Sequence, residues 1–257
     1  MRAAACEPLE REGFANAFST RGGGVSAFPE ASLNLAGFDQ DSAENIHENR
    51  RRFISALGGG WKLAACWQVH GRDVLVARDA EDPRFEQERC DALATNLKGL
   101  LLGVKTADCV PVLLGDAKTG ACAAVHAGWR GTLAEIVKRA LATLREEFGT
   151  EASDVRAALG PAALGCCYEV GADVIDPFRA KFKDADSLFK PTGEGRALID
   201  LHEANRRQLI EAGVAPERVY ALPLCTMCRT DLFFSYRQDR KLYGRTGRLM
   251  SVVGTRA

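Results

Sequence analysis

Two histidines and one cysteine fall where strand-like segments end, beside residues with small side chains. His70 closes the segment WQV and precedes Gly71, and His126 closes AAV shortly before Gly128. Cys109 lies in the break TADC, between the apolar runs LLLGV and VPVLL. Two imidazoles and one thiolate are a good donor set for zinc, with a fourth tetrahedral position left to water or substrate, as catalytic zinc sites require. These residue types therefore indicate one metal site at one edge of a sheet.

The spacing of the three residues leaves a second interpretation open. His70 and Cys109 are 39 positions apart and Cys109 and His126 are 17 apart, which matches no local zinc motif. Three separate core residues fit this pattern as well as one shared ion does. If Asp108 and Cys109 are both extended, their side chains point to opposite faces, so Asp108 is expected as a structural or supporting carboxylate. The other histidines, His47 and His202, are expected to be surface or half-buried residues.

The loop after His126 combines glycine with a fixed positive charge. The stretch GWRGT leads into a predicted helix over 132–148, which begins with the capping-box pair Thr132 and Glu135. Free N–H groups at a helix N-terminus favour anions, and Arg130 adds a guanidinium that makes paired contacts with phosphate or carboxylate. The loop is therefore interpreted as holding an anion beside whatever His126 binds. The alternative is a glycine-rich turn with a solvated arginine.

The remaining cysteines are weaker candidates for chemistry. Cys225 and Cys228 have the CxxC spacing, but no second such pair and no nearby histidine accompanies them, which favours buried thiols over a structural zinc site. The adjacent Cys166 and Cys167 are poorly placed for a mutual disulfide, so packing is the expectation. Nine cysteines, an odd number, and a start without a signal-peptide pattern predict reduced thiols in a cytoplasmic protein.

Composition is typical of a globular protein without a strong overall field. The chain has 257 residues, of which 46% are hydrophobic and 26% charged, and we expect one domain over 1–257. Lys+Arg and Asp+Glu are balanced at 34 each, so a bound anion must be held by a local cluster of charges. The longest apolar runs are too short for a membrane span. Neither nucleic acid nor a membrane is therefore expected as a partner.

The elements that must position these residues mix strands and helices irregularly. Helical periodicity predicts helices over 41–57, 132–148 and 200–212, and a fourth after Tyr168 that Pro177 interrupts. The polar stretch 183–196 is predicted as a surface loop. Strands are predicted in a hairpin over 62–78, in a pair formed by DALAT and LLLGV, and in VPVLLGD, GACAAVH, RVYALPL, LFFSYR and RLMSVV. This order predicts an α/β (α+β) fold of mixed or antiparallel sheets with helices packed outside, not a strict βαβ alternation.

Fragments along most of the chain resemble one protein family. FSTRGGGVS, SLNLAG, WQVHG, KTADCVPVLL, AVHAGWRGT, GPAALGCCYEVG, DLHEANRRQL, LCTMC and FFSYRQD occur in the same order in proteins formerly called multicopper polyphenol oxidases or laccase-domain proteins. Members are now described as purine nucleoside phosphorylases with adenosine deaminase and methylthioadenosine phosphorylase activities. The resemblance runs from about residue 18 to about residue 248, and WQVHG, TADCVP and HAGWRGT together make it specific.

This resemblance implies a metal site of His70, Cys109 and His126 at the mouth of a substrate pocket, with the same three residues as the catalytic ones. The metal is usually zinc, and copper is the other metal considered. The implied fold is a single α/β domain of packed mixed sheets with outer helices, likened to a cysteine-hydrolase toxin domain. The implied contacts with nucleoside and phosphate, the small-molecule partners, are Arg21, Gln68 and Arg130.

The expected function is phosphorolysis of purine nucleosides (adenosine, inosine, guanosine, methylthioadenosine) together with adenosine deamination. Phosphorolysis requires a phosphate held under the sugar and preorganised charge for an oxocarbenium-like transition state. Arg130 and the helix start at Thr132 are expected to hold that phosphate, assisted by Arg21 or Lys105. Deamination requires metal-activated water and a proton carrier, for which no glutamate stands out in the sequence.

Three other functions remain open at this level. Cys109 as nucleophile with His126 or His70 as base would make an amide hydrolase, acting for example on a cell-wall precursor peptide. Copper-dependent oxidation of phenols is disfavoured because four histidines are too few for a multicopper cluster. A nucleoside- or metal-binding module without catalysis is the third.

Overall fold

Three β-sheets and seven α-helices make up the fold, seen in a computed structural model that describes residues 3–28, 31–37 and 41–256. The strands are β1 (Ala3–Ala4), β2 (Phe14–Ser19), β3 (Gly22–Ser26), β4 (Lys62–Ala64), β5 (Val74–Val76), β6 (Ala92–Thr95), β7 (Leu100–Thr106), β8 (Val110–Asp116), β9 (Ala121–Ala127), β10 (Arg156–Leu159), β11 (Glu169–Val170), β12 (Phe189–Gly193), β13 (Arg196–Ile199), β14 (Val219–Ala221) and β15 (Leu249–Thr255). The helices are α1 (Glu7–Arg11), α2 (Ala43–Ser55), α3 (Trp129–Leu133), α4 (Ile136–Phe148), α5 (Ala172–Lys181), α6 (Leu201–Glu211) and α7 (Tyr236–Tyr243).

The two larger sheets are mixed and face each other. One has the strand order β1-β2-β15-β7-β4 and the other β14-β10-β8-β9-β6-β5, while a small sheet has the order β11-β13-β12. Most neighbours are antiparallel, but β4–β7, β5–β6 and β10–β14 are parallel. Strand β9 contacts β7 and β15 of the facing sheet. The predicted α/β class with mixed sheets and outer helices is therefore confirmed.

The central strands are buried on both faces, which explains their continuous apolar sequences. Every residue of β8 and β9 is buried, because the facing sheet covers one side and α4 covers the other. Helix α4 presents its apolar stripe, including Ile136, Ala140 and Leu144, to the same core as Val112 and Val125. These packed strands form a rigid base from which the loops at one sheet edge extend.

The strands of the predicted pairs exist, but two of the pairings are wrong. Within 62–78, β4 pairs with β7 in the first sheet and β5 pairs with β6 in the second, so this segment is not a hairpin. Strands β6 and β7 likewise belong to different sheets. Consecutive apolar strands can enter either of two facing sheets, and hydrophobic pattern alone does not tell which. The adjacent strands β8 and β9 do pair, in antiparallel register.

Two of the predicted helices exist with slightly shorter bounds, 43–55 instead of 41–57 and 201–211 instead of 200–212. Helix α2 starts after Ser42, whose hydroxyl accepts the N–H of Asn45, and α6 starts after Asp200, which accepts the N–H of Glu203. The predicted interruption at Pro177 is wrong, because α5 continues through this residue. A proline inside a helix removes one N–H donor, a loss that this helix tolerates.

The predicted helix over 132–148 is divided into two. Glu135 has a φ of 60°, which ends α3 and precedes the start of α4 at Ile136. The capping box at Thr132 and Glu135 is therefore wrong. The Thr132 hydroxyl is buried and accepts a hydrogen bond from the Asn205 side chain instead. No anion-binding helix start exists at Thr132.

Two further segments differ from prediction. LFFSYR is not a strand, since Phe233 and Phe234 pack into a small core cluster and Ser235 caps α7. The polar stretch 183–196 is not a simple loop, because it contains a 3-10 turn, β12 and the start of β13. Within the described ranges, no helix combines the length and apolarity needed to cross a membrane.

Candidate metal centre and pocket

The structure brings His70, Cys109 and His126 together. Their ligand atoms all lie within 4.8 Å of one another. The Cys109 Sγ atom is 3.9 Å from His70 Nε2, and the two imidazole rings meet edge to face with centroids 4.8 Å apart. The three side chains are therefore not separated from one another, and their convergence agrees with the interpretation of one shared site.

The three residues lie in different local backbone structures. His126 is the sixth residue of β9, inside the strand and not after it. Cys109 lies in the short bend between β7 and β8. WQV forms no named strand, and His70 follows it in a bend with a φ of 62°, a left-handed conformation uncommon for a non-glycine residue.

The buried carboxylate of Asp91 fixes both histidines. Its Oδ1 atom accepts the Nδ1–H of His126 at 2.7 Å and the backbone N–H of His70 at 2.9 Å. Its Oδ2 atom accepts the backbone N–H groups of Val69 at 3.1 Å and Gly71 at 2.6 Å. Asp91 thereby stabilises the strained turn at His70 and leaves Nε2 of His126 directed at the centre of the cluster.

Gly128 makes room for the sulfur and the first imidazole. A Cβ atom at this position would lie 3.0 Å from Cys109 Sγ and 3.0 Å from His70 Cδ2. Its φ of −71° is ordinary, so the requirement for glycine here is one of space and not of backbone conformation. The glycine after His126 is thus part of the site's wall.

Charges in the cluster shift two pKa values in opposite directions. Burial raises the pKa of the Cys109 thiol, but His126 and His70 outweigh burial and lower that pKa to about 6. For His126, burial lowers the pKa, whereas Cys109 and Asp91 outweigh it and raise that pKa to about 9. Without a metal, both shifts favour a thiolate at Cys109 beside an imidazolium at His126.

A cavity of about 610 Å³ opens over this cluster, a volume typical of small-molecule sites. Trp67 and Tyr236 on its wall are 56% and 44% exposed, high values for such large apolar side chains. Flat aromatic surfaces suit a planar heterocycle, and guanidinium groups suit phosphate. Further aromatic and cationic residues of the lining are Trp129, Tyr168, Lys105, Arg130, Arg237 and Arg248.

Only two of the three predicted substrate contacts line the cavity. Arg130 does, with its guanidinium 4.2 Å from the Trp129 ring centroid. Gln68 does too, but its amide exchanges two 2.7 Å hydrogen bonds with the backbone of Lys105, which makes it a support for β7. Arg21 lies elsewhere, donating to the carbonyl oxygens of Thr230 and Phe233, and this placement does not support its predicted role.

Known proteins are similar to this chain over nearly its whole length. Residues 15–256 match the family described as multi-copper polyphenol oxidoreductase laccase. The chain belongs to this family. A purine nucleoside phosphorylase from Deinococcus radiodurans is 41% identical over 241 residues, which cover 93% of this chain and 88% of the relative. Adenosine deaminase RL5, from an unknown prokaryotic organism, is 35% identical over 239 residues, covering 90% and 91%.

A solved structure shares this fold over nearly the whole chain. The crystal structure of the hypothetical protein YfiH from Bacillus licheniformis matches with a TM-score of 0.90 at 31% identity, over 99% of this chain and 96% of that chain. The family resemblance of the sequence is therefore confirmed. The expectation of an enzyme is confirmed as well, since these relatives are named for enzymatic activities.

The donor set of this laccase-family chain fits a single zinc ion. Zn–S bonds of about 2.3 Å and Zn–N bonds of about 2.0–2.1 Å in a tetrahedron place sulfur and nitrogen about 3.6 Å apart. The 3.9 Å between Cys109 and His70 is close to that value. Two imidazoles and a thiolate also bind copper, so the donors alone do not select the metal.

The other two histidines lie away from the site. All four histidines fall within the described residues; His47 is exposed on α2, and His202 is only 8% exposed, which corrects the expectation of a surface or half-buried residue there. His202 Nε2 donates to the carbonyl oxygen of Gly160. Of the four histidines, only His70 and His126 therefore belong to the site, which is fewer histidine ligands than a multicopper cluster needs.

Asp108 has the supporting role that was expected of it, by a different geometry. It has a φ of 90° and is not extended. Its carboxylate accepts the Thr226 hydroxyl at 2.7 Å and the backbone N–H of Arg237 at 2.8 Å. Asp108 thus connects the bend that carries Cys109 to the turn of Thr226 and to the start of α7, where Arg237 lines the cavity.

Two important acidic residues were missed in the sequence. Asp91 is the first, although its position before the apolar strand ALAT was a signal, since a charged residue at the edge of a core strand needs partners. Glu86 is the second: it lines the cavity and pairs with Lys105 at 3.0 Å and Arg50 at 2.9 Å. Burial raises the pKa of Glu86, but these cations lower it overall, so the charge of Lys105 is already matched.

Proposed function

We propose that this chain phosphorolyses purine nucleosides and deaminates adenosine in the cavity above His70, Cys109 and His126, with zinc held by those three residues. One observation carries the proposal: two imidazoles and a thiol converge in a cavity of about 610 Å³ with aromatic and cationic walls. The relatives named for these two activities, similar over nine-tenths of the chain, support it. Adenosine, inosine, guanosine and methylthioadenosine are the proposed substrates.

In this proposal, aromatic residues bind the purine and basic residues bind the phosphate. Trp67 and Tyr236 offer exposed ring faces for the purine. Arg130, stacked on Trp129 at the cavity wall, would bind and orient phosphate for attack on the anomeric carbon of the sugar. In that step a carbon–oxygen bond to hydrogen phosphate forms, the carbon–nitrogen bond to the base breaks, and the base leaves with the proton that the phosphate gives up. Arg237, which also lines the cavity, adds positive charge beside the same wall.

Asp91 determines which nitrogen of His126 carries a proton in the proposed site. Because its carboxylate accepts Nδ1–H of His126, the Nε2 atom carries the lone pair when the ring is neutral. The lowered pKa of Cys109 favours the thiolate, the form that binds metal. Zinc at this place would act as a Lewis acid and lower the pKa of water for deamination.

Product analysis with metal quantification tests the proposal. The protein would be incubated with each nucleoside, with and without phosphate, and compared with His70→Ala and Cys109→Ala. We expect free base only with phosphate, inosine from adenosine without it, and loss of the cavity zinc and of product together in both variants. His47→Ala, which removes an exposed imidazole from α2, is the matched control. A variant that loses its zinc but keeps full turnover would contradict the proposal.

Arg130→Ala separates the two reactions. A hydrogen-bonded ion pair contributes about 1.5–3 kcal/mol, so we expect the KM for phosphate to rise roughly 10- to 150-fold. Adenosine deamination, which uses no phosphate, should change little. Arg139→Ala on α4, where the arginine is paired with Glu146, serves as the control. Equal losses in both reactions would show that Arg130 does not act through phosphate.

A second function is favoured by the same charges. A thiolate with a pKa of about 6 beside an imidazolium held by a carboxylate is the arrangement of a Cys–His amide hydrolase. In that case metal-stripped protein would hydrolyse a peptide amide, and alkylation of Cys109 would abolish the activity. Under the nucleoside proposal, stripping the metal abolishes turnover, and zinc protects the thiol from alkylation.

A further inference from the structure

Four cysteines gather at a second place, away from the cavity floor. Cys166 and Cys167 lie in the turn before β11, and Cys225 and Cys228 lie in the turn after β14. All four sulfur atoms are within 4.8 Å of one another. The sequence expectation of separate, packed thiols is wrong, since Cys166 and Cys228 are exposed and only Cys225 is buried.

The sheet explains why residues so distant in sequence meet. Strands β10 and β14 pair in parallel, with Leu159 opposite Ala221. The segments that follow them leave the sheet at the same edge, and a parallel bridge between Ala162 and Cys225 continues the pairing. The two turns are therefore held side by side by backbone hydrogen bonds, independently of the thiols.

The four sulfurs are close enough together to share one tetrahedral ion. Zn–S bonds of about 2.3 Å put the sulfurs of a four-thiolate site about 3.8 Å apart. The Cys166–Cys228 distance of 3.8 Å matches this value, whereas the sulfurs of Cys167 and Cys228 are closer, at 3.0 Å, and would have to move apart by about 0.8 Å on binding.

We propose that Cys166, Cys167, Cys225 and Cys228 bind a second zinc ion, in a closed four-thiolate site separate from the cavity. Four protein ligands leave no position for water or substrate, which makes such a site structural. Binding would form four Zn–S bonds and release the thiol protons to solvent, without oxidation or reduction. A CxxC pair and a second pair of thiols supply the full coordination number.

The site would fasten two parts of the cavity wall. Between the two cysteines of the CxxC turn, Thr226 donates to the Asp108 carboxylate at 2.7 Å. The N–H of Ala163, from the other turn, donates to the Asp108 carbonyl at 2.9 Å. Tyr168, which lines the cavity, directly follows Cys167. Zinc here would therefore hold the surroundings of Cys109 in place from outside.

Metal stoichiometry of purified protein tests the proposal. We expect two zinc ions per chain in the wild type, one in Cys228→Ser, one in His70→Ala and none when both changes are combined. Cys6→Ala, which removes a buried thiol belonging to neither cluster, should keep both ions. Cobalt substitution in the His70→Ala background should give sulfur-to-metal charge-transfer absorption that Cys166→Ser and Cys228→Ser each reduce.

The outcomes separate this proposal from the proposed function. If Cys228→Ser keeps the metal content of the wild type, the four-thiolate site is refuted, whatever the activity is. A mass two hydrogens lower, with two fewer titratable thiols than the nine in the sequence, would show a disulfide in this cluster and also refute it. If only His70→Ala leaves the metal content unchanged, the cavity site fails and the second site stands.

Discussion

Replacing Asp91 with asparagine should release the two histidines of the cavity site together. The carboxylate is fully buried and accepts four hydrogen bonds, two at each oxygen. Asparagine offers one oxygen and one NH₂ group, so whichever way its amide is turned, two N–H donors face another donor. If the oxygen serves His70 and His126, the N–H groups of Val69 and Gly71 lose their acceptor.

The magnitude follows from that count. An unsatisfied buried donor costs about 1–3 kcal/mol, so two of them lower the free energy of unfolding by about 2–6 kcal/mol. Loss of a carboxylate behind a metal-binding histidine costs typically 10- to 100-fold in metal affinity. We therefore expect Asp91→Asn to be less stable and to bind zinc at least 10-fold more weakly.

The assay measures both quantities on the same protein. Zinc dissociation constants come from competition with a chromophoric chelator, and stability from denaturant unfolding of metal-free protein. Asp116→Asn is the matched control, because Asp116 is also a buried carboxylate. It lies at the end of β8 away from Cys109, and it accepts hydrogen bonds from the Lys118 backbone N–H and the Thr119 hydroxyl. This variant should lose stability and keep its zinc affinity in the cavity site. If Asp91→Asn loses stability alone, as the control does, the positioning argument is refuted.

Two further changes test single contacts. Gly128→Ala places a methyl group 3.0 Å from both Cys109 Sγ and the His70 ring, so we expect at least 10-fold weaker zinc binding by chelator competition; Gly60→Ala, with open space around it, should have no effect. His202→Gln tests a pH effect, because burial lowers the pKa of His202 below its ordinary value of about 6.5. The unfolded chain then takes up the proton first, so wild-type stability is complete above about pH 6.5 and falls as the pH drops toward the folded pKa, and unfolding curves of the glutamine variant should show a weaker fall over that interval. An equal fall in both proteins would contradict the assignment to His202.

The three residues of the cavity cluster were predictable as candidate ligands because their chemistry belongs to the residue types. An imidazole or a thiol at the end of an apolar segment, beside a glycine, indicates a ligand wherever the chain later folds. Their convergence was not predictable from spacing, because it depends on which sheet each strand enters. Strands β4 and β5 illustrate this: they are close in sequence and pair in different sheets.

The features that sequence reasoning missed depend on the backbone and on distant pairing. Asp91 acts through N–H groups of a turn that has a positive φ at His70, and no pattern of side chains encodes such a turn. The four-cysteine cluster depends on the parallel pairing of β10 and β14, which brings together turns about 60 positions apart. The prediction of a helix start at Thr132 is wrong for a local reason, since Glu135 adopts a left-handed conformation that separates α3 from α4.

Charge balance shows why the two candidate chemistries of the cavity exclude each other. In the metal-free site, the imidazolium of His126 is the positive charge that lowers the pKa of the Cys109 thiol to about 6. A divalent ion supplies that charge itself and requires the Nε2 atom of His126 without its proton. A base that takes a proton and a ligand that shares its lone pair with zinc use the same atom. Cys109 can therefore be a free nucleophile only in molecules that lack the metal, and the turnover of metal-loaded and metal-stripped protein decides between the two functions.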